Sequence, residues 1–191
     1  MKIIGITGTL GAGKGTIVEY LTRDKGFLHY SVRGFLVEEL GKRNMSVNRD
    51  TMTELANELR SIHGPAYIAD QLHEKALQKQ QNAVIESIRT PGEVDYLKAK
   101  GNFVLFAVDA DAEIRYQRIS ERKSETDDIS RETFLDNEKR EMESTDPNKQ
   151  NLKKCIAMAD YVFSNNGTIA ELHEKVENVL AKIGLTGGAN I

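Results

Sequence analysis

Gly8-Thr9-Leu10-Gly11-Ala12-Gly13-Lys14-Gly15-Thr16 is the stretch from which the fold can be read. The apolar run Ile3-Ile4-Gly5-Ile6 precedes it, and Ile17-Val18-Glu19-Tyr20-Leu21, helical in character, follows. A buried strand, a glycine-rich turn and a helix together form the context in which a phosphate-binding loop works. Glycines allow backbone turns that a side chain would block, so successive N–H groups can face phosphate oxygens. A helix starting near Lys14 adds the positive end of its dipole. Gly8, Gly11, Ala12, Gly13, Lys14, Gly15 and Thr16 are therefore the expected nucleotide cradle. Lys14 is expected to act as a mobile charge on the outer phosphates, and Thr16 to offer a hydroxyl to a metal ion.

Apolar runs at residues 27–30, 83–85, 103–108 and 161–163 supply four further strands. The first and fourth of the five strands are nearly continuous in hydrophobicity, as strands covered on both faces of a parallel sheet must be. Polar-rich helical stretches at 50–81 and 129–158 replace single crossovers; Gly64-Pro65 and Asp146-Pro147 break them. An amphipathic helix over 171–183 closes the chain. This alternation predicts a doubly wound α/β fold with ligands at the carboxyl ends of the strands. The expected organisation is one domain over 1–184, with an acceptor-binding insert at about 32–80, a lid at about 115–145, and a frayed tail at 185–191.

A chain of 191 residues can close one such core. Its formal net charge of −3 gives no global basic field toward nucleic acid or an anionic membrane. Its one cysteine, Cys155, cannot form an internal disulfide and suits a reducing compartment. With no secretory pattern and no apolar run of membrane-spanning length, a cytoplasmic protein is expected. His29, His63, His73 and His173 lack metal-ligand spacing and read as structural.

Phosphoryl transfer needs several cations aimed at one place and a magnesium ion. Glu86, at the end of the third strand, is positioned to hold water on magnesium, and Arg89 lies three residues on. Arg115, Arg118 and Arg122 recur at intervals of three and four, a spacing that puts them on one helical face. The alternative readings are a surface ion pair for the first two and a solvated face for the other three.

Gly15 stands where the strict loop pattern has Ser or Thr. Gly13-Lys14-Gly15-Thr16 instead resembles the loop of adenylate kinases and related nucleoside monophosphate kinases. The resemblance covers most of the chain and implies a three-layer P-loop NTPase fold with a five-stranded parallel sheet and helical lid and acceptor inserts. Glu86-Ser87-Ile88-Arg89 is similar to the Asp-Gly-Phe-Pro-Arg segment of that family, one residue shorter and with Ser87 departing from it. Arg118-Ile119-Ser120-Glu121-Arg122 resembles the arginine pair opening the family's lid. That places Arg118 on the donor's adenine and Arg122 on its phosphates. Asp127-Asp128 continues the lid pattern, but Glu125 replaces an expected arginine, and Arg131 or Arg140 are the candidate substitutes.

For the acceptor, the resemblance points to Ser31, Arg33 and Arg89, with Val37 where an arginine is expected. Asn57 and Arg60, on a helix at 53–62, are further candidates. The turn Ser164-Asn165-Asn166-Gly167-Thr168 resembles that of both monophosphate kinases and dephospho-coenzyme A kinases, which places Asn166 at the adenine edge. The expected activity is an ATP- and Mg2+-dependent kinase acting on a nucleoside or deoxynucleoside monophosphate. Its catalytic residues would be Lys14, Arg89 and Arg122, with Thr16 and, through water, Glu86 on the metal. Two alternatives stand: a dephospho-coenzyme A kinase-like activity, and an ATP-hydrolysing assembly factor. A GTPase switch lacks its Asp-x-x-Gly and Asn-Lys-x-Asp segments.

Overall fold

Ile3, Ile4 and Ile6 are all fully buried, which a strand achieves only inside a sheet covered on both faces. The computed structural model, which describes residues 1–122 and 130–185, places them on the central strand β1 (Ile3–Gly8). β3 (Ala83–Glu86) and β4 (Phe103–Asp109) flank it; β2 (Leu28–Ser31) and β5 (Tyr161–Ser164) form the edges. The order is β2-β3-β1-β4-β5, and every pairing is parallel. Ile3 lies opposite both Ala83 and Phe103.

The period of two in each strand divides the core into two layers. Ile3, Ala83, Ile85, Phe103 and Leu105 pack on one face against Leu36, Leu40, Leu55, Ile68, Val94 and Leu97. Ile4, Ile6, Val84, Phe106 and Val108 pack on the other against Ile17, Leu21, Leu172, Val176 and Leu180. Helices α2 (Val32–Lys42), α3 (Arg49–His63), α4 (Tyr67–Lys79) and α5 (Pro91–Ala99) supply the first set. The second comes from α9 (Ile169–Lys182) and from α1 (Lys14–Glu19), which a wider π-type turn over Tyr20–Asp24 extends. The expected α/β fold with its five-stranded parallel sheet is the observed one.

Side-chain caps set the helix boundaries. The Asn48–Thr51 capping box starts α3 at Arg49, four residues earlier than the expected 53. Gly64, at φ 101°, stops it before Pro65. α6 (Ala112–Arg122) and α7 (Arg131–Met142) lie in the lid region, and the break at Asp146-Pro147 separates α7 from α8 (Leu152–Ala157). Glu125 and Asp127-Asp128 lie outside the described residues. Leu185, expected in a frayed tail, instead donates its N–H to the Leu180 carbonyl at 2.8 Å and packs on the core. No helix among the described residues is long and apolar enough to cross a membrane.

Glu93 ties helix α3 to the sheet. Its carboxylate is fully buried, and Oε1 accepts from Arg60 Nε at 3.2 Å and Nη2 at 2.8 Å. Oε2 accepts from the backbone N–H groups of Arg89 at 2.9 Å and Thr90 at 3.0 Å. One carboxylate therefore joins α3, the turn after β3 and the start of α5. Removing it strands a buried guanidinium, so Glu93→Ala is expected to lower unfolding free energy by about 3–5 kcal/mol in urea titrations. A loss under about 1 kcal/mol would mean that hydrophobic packing alone fixes α3.

Candidate functional site

The glycine loop between β1 and α1 is drawn against the sheet by contacts that exclude side chains. Gly8 has φ 138°, and a Cβ there would lie 2.0 Å from the Val108 carbonyl oxygen. Gly13 has φ 106°, and its Cβ would meet Asn165 Nδ2 at 2.3 Å. That same Nδ2 donates to the Ala12 carbonyl at 2.8 Å, so Asn165 props the loop from beneath. Lys14 Nζ turns back to donate to the carbonyls of Gly8 at 2.9 Å and Thr9 at 2.8 Å. Its pKa is drawn down to about 7, first by burial and then by the guanidinium of Arg89, against the opposing pull of Glu141 and Glu86. Lys14 is therefore poised to gain a proton when further negative charge arrives.

The loop opens into a cavity of about 570 Å³, within the range of small-molecule sites. Among its lining residues Lys14, Arg33, Arg49, Arg60, Arg89, Arg118 and Arg122 face only two acids, Glu86 and Glu141. In a chain with a net charge of −3, that local excess of cations suits a polyanionic ligand.

β3 delivers Glu86 and Arg89 through a constrained turn. Ser87 has φ 72°, in the left-handed region that favours glycine. The N–H groups of Ser87 and Ile88 both donate to the Ile6 carbonyl at 3.1 Å, which holds the turn and aims the chain into the cleft. Such strain persists where surrounding contacts over-determine it. The Glu86 carboxylate is hydrogen-bonded to His29 at 3.1 Å, a contact missed when the histidines were read as structural. Burial pushes the Glu86 pKa up, but the hydrogen bond to His29, with Lys14 and Arg89 nearby, holds it below the ordinary range.

Arg89 Nη1 donates to Glu141 Oε2 at 2.5 Å and to Gln150 Oε1 at 2.8 Å. Arg49 Nη1 donates to the other oxygen of Glu141 at 2.9 Å. Arg49, Glu141 and Gln150 were not singled out in the sequence. Only the position of Arg49 directly after an N-cap asparagine gives a hint, since that puts it at an exposed helix entrance.

At the other end Arg118, Ile119, Arg122, Asn165, Gly167 and Ile169 line the cavity. Arg118 Nη1 is buried and finds no hydrogen-bond partner among the described residues, an orphan donor beside the loop. Arg115 corrects the reading of one basic face: it is 4% exposed and turns under the helix. There it donates to the Ala110 and Leu10 carbonyls and pairs with Glu138 through two nitrogens, at 2.5 and 3.0 Å. Asn166 also departs from expectation. Its Oδ1 accepts from the Asp111 N–H at 2.9 Å, and the neighbouring Asn165 lines the cavity.

On the acceptor side, Ser31 serves as the N-cap of α2, accepting from the Gly34 N–H at 3.2 Å, and is not among the lining residues. Arg33 is exposed and lines the cavity. Arg60 is 1% exposed and held by Glu93, yet it also lines the cavity and its Nη1 has no partner among the described residues. Asn57 is absent from that lining. Cys155 is buried, its thiol pushed up to about 12 by burial, which makes it inert.

These residues fit a nucleotide and a hard cation. The loop's backbone cradle, Lys14 and the orphan Arg118 donor suit a triphosphate and its base. Thr16 and Glu86, both in the lining, offer oxygen donors only. No cluster of three or more His, Cys, Asp or Glu suited to a metal exists among the described residues. That donor set matches magnesium, which keeps several waters and shares phosphate oxygens.

Comparison with known proteins agrees with this geometry. Residues 4–146 match the family described as AAA domain. A UPF0200 protein of Methanococcus vannielii is 30% identical over 186 residues, covering 96% of this chain and 97% of its own. Among solved structures, protein TT1252 of Thermus thermophilus aligns with a TM-score of 0.65 at 21% identity, over 97% of this chain and 98% of that one. The shikimate kinase of Aquifex aeolicus aligns with a TM-score of 0.52 at 15% identity, over 97% and 99% respectively. Those structural likenesses show the P-loop NTPase fold, and the sequence matches establish kinship: the chain belongs to the AAA-domain family and to the UPF0200 group of proteins.

Proposed function

We propose that this protein is an ATP- and Mg2+-dependent small-molecule kinase that phosphorylates a nucleoside or deoxynucleoside monophosphate. The observation that carries this reading is the shared cavity. The glycine loop and Arg118 line one part of it, and Arg33, Arg49, Arg60 and Arg89 line the part next to the acceptor-side helices. A hydrolase would need only the first set.

In this reading the loop amides and Lys14 bind the donor's β- and γ-phosphates, and Arg118 lies against its adenine. Arg122 approaches the phosphates from the lid helix. Thr16 and Glu86 would hold a magnesium ion, Glu86 through water, and the ion would supply neutralisation of the phosphate charge. Arg89 and the neighbouring cations fix the acceptor so that its oxygen approaches the γ-phosphorus in line with the departing ADP oxygen. α7, which brings Glu141 into the cleft, helps to exclude water, the competing acceptor.

A screen of nucleoside and deoxynucleoside monophosphates alongside dephospho-coenzyme A tests the acceptor class by ADP release. With the best acceptor, Arg89→Ala is expected to bind ATP normally in calorimetry yet lose acceptor affinity and rate together, by about 2–5 kcal/mol in kcat/KM. Arg89→Lys should recover part of this, because it keeps the charge and loses the fork. Equal losses of ATP and acceptor affinity would move Arg89 to the donor, and ADP release that ignores every acceptor would favour an assembly ATPase.

Lys14 gives a proton-linkage prediction. Its free-state pKa of about 7 leaves it largely neutral above that pH, and phosphates must raise it again on binding. The bound state therefore holds more protons than the free state above pH 7, so ATP affinity should fall as pH rises through that range. Calorimetry at about pH 8.5 in buffers of different ionisation enthalpy should show uptake of about one proton per ATP, fading below about pH 6. Lys14→Ala should abolish the uptake together with turnover. Binding at pH 8.5 with no proton uptake would show that Lys14 does not meet the phosphates.

A further inference from the structure

Glu141 is an unusual occupant for a cleft built to receive anions. It is 5% exposed, and its two oxygens are divided between guanidinium groups from different parts of the fold. Arg49 heads α3, on the acceptor side; Arg89 follows β3. Burial raises the Glu141 pKa, but Arg89 and Arg49 outweigh it and keep the group ionised. Two guanidinium groups, each through Nη1, converge on one anion within the field of Lys14, Arg89 Nη1 also donating to Gln150, and form the seat that a phosphate monoester or carboxylate would otherwise take.

Glu141 comes from α7, one turn beyond Glu138, whose carboxylate pairs with the buried Arg115 beside the glycine loop. The helix is thus pinned by two acids, and they differ in one respect. Arg115, the partner of Glu138, does not line the cavity, whereas Arg49 and Arg89, the partners of Glu141, do. Glu138 can therefore stay in place while Glu141 is exchanged.

We propose that Glu141 is a resident counter-ion in the acceptor's anion seat, and that it selects acceptors carrying a dianionic phosphate over those carrying a carboxylate or no charge. A neutral alcohol gains nothing from the two arginines while Glu141 holds them. A carboxylate can only exchange like for like, against a competitor already tethered at high effective concentration. A dianion interacts more strongly with the same two guanidinium groups and with Lys14, so it alone displaces Glu141 with a net gain. The inference rests on the kinase reading for what the acceptor is, but not for whether the seat exchanges anions.

The test is calorimetry of sulfate, a dianion, and acetate, a monoanion, on the full chain with the glycine loop saturated by ADP. Wild type should bind sulfate weakly and acetate undetectably. Glu141→Gln, which keeps an accepting oxygen and loses the charge, should bind sulfate about tenfold tighter or better and make acetate binding measurable. Glu141→Asp should resemble wild type, and adding Arg89→Ala to Glu141→Gln should cancel the gain. A cooperative thermal unfolding transition for Glu141→Gln, followed by circular dichroism, reports a folded protein. Sulfate binding by Glu141→Gln that is unchanged or weaker than wild type would overturn the proposal and make Glu141 a fixed anchor for Arg89. If ADP itself fails to bind wild type, the nucleotide reading fails. The sulfate gain of Glu141→Gln, and its loss with Arg89→Ala, still decides this proposal.

Discussion

The buried carboxylate of Glu93 is the constraint on which the arrangement of the cleft depends. It accepts hydrogen bonds from the side chain of Arg60 on α3 and from the backbone of Arg89 and Thr90 after β3. A desolvated carboxylate is tolerated only when its lone pairs are met, and here four donors meet them. The turn that aims Arg89 into the cleft and the helix that lines the acceptor side are therefore fixed by the same charge. The positive φ of Ser87 is part of that turn, and the surrounding contacts hold it there.

Above this anchor the site is organised by competition for cations. Lys14 rests on the carbonyls of its own loop and Arg89 on Glu141. Both arrangements are internal stand-ins for phosphate oxygens. Burial first, and then the neighbouring Arg89, disfavours the protonated Lys14, whereas for Glu141 burial is outweighed by Arg89 and Arg49, which keep it ionised. In the proposed reading, substrate binding replaces these internal acceptors by external phosphate oxygens, while Glu138 keeps α7 on Arg115.

What was legible in the sequence is what local physics determines. The glycine loop, the buried strands and the helix stops at Gly64-Pro65 and Asp146-Pro147 follow from backbone sterics and apolar periodicity, and they place the cleft at the right end of the sheet. Arg89 and Arg118 could be found because each sits a fixed distance from a strand or loop. Glu141 and Gln150 could not, since they enter the cleft from α7 and from the stretch between α7 and α8, whose docking is set by long-range contacts. Arg115 was misread for the same reason: its spacing matches Arg118 and Arg122, but Glu138 draws it beneath the helix. Asn165 lines the cavity in place of the expected Asn166, because a one-residue step at a strand end reverses the direction of a side chain.

The central claim is that phosphate passes to an acceptor bound beside Arg89, and the fate of the γ-phosphate tests it most directly. In a single turnover with γ-labelled ATP, Mg2+ and a saturating nucleoside monophosphate from the productive class, the label should appear on the acceptor as a diphosphate. In the acceptor's absence, release of labelled inorganic phosphate should be slower by at least about a hundredfold. Label appearing only in inorganic phosphate, at a rate indifferent to every acceptor, would contradict the account.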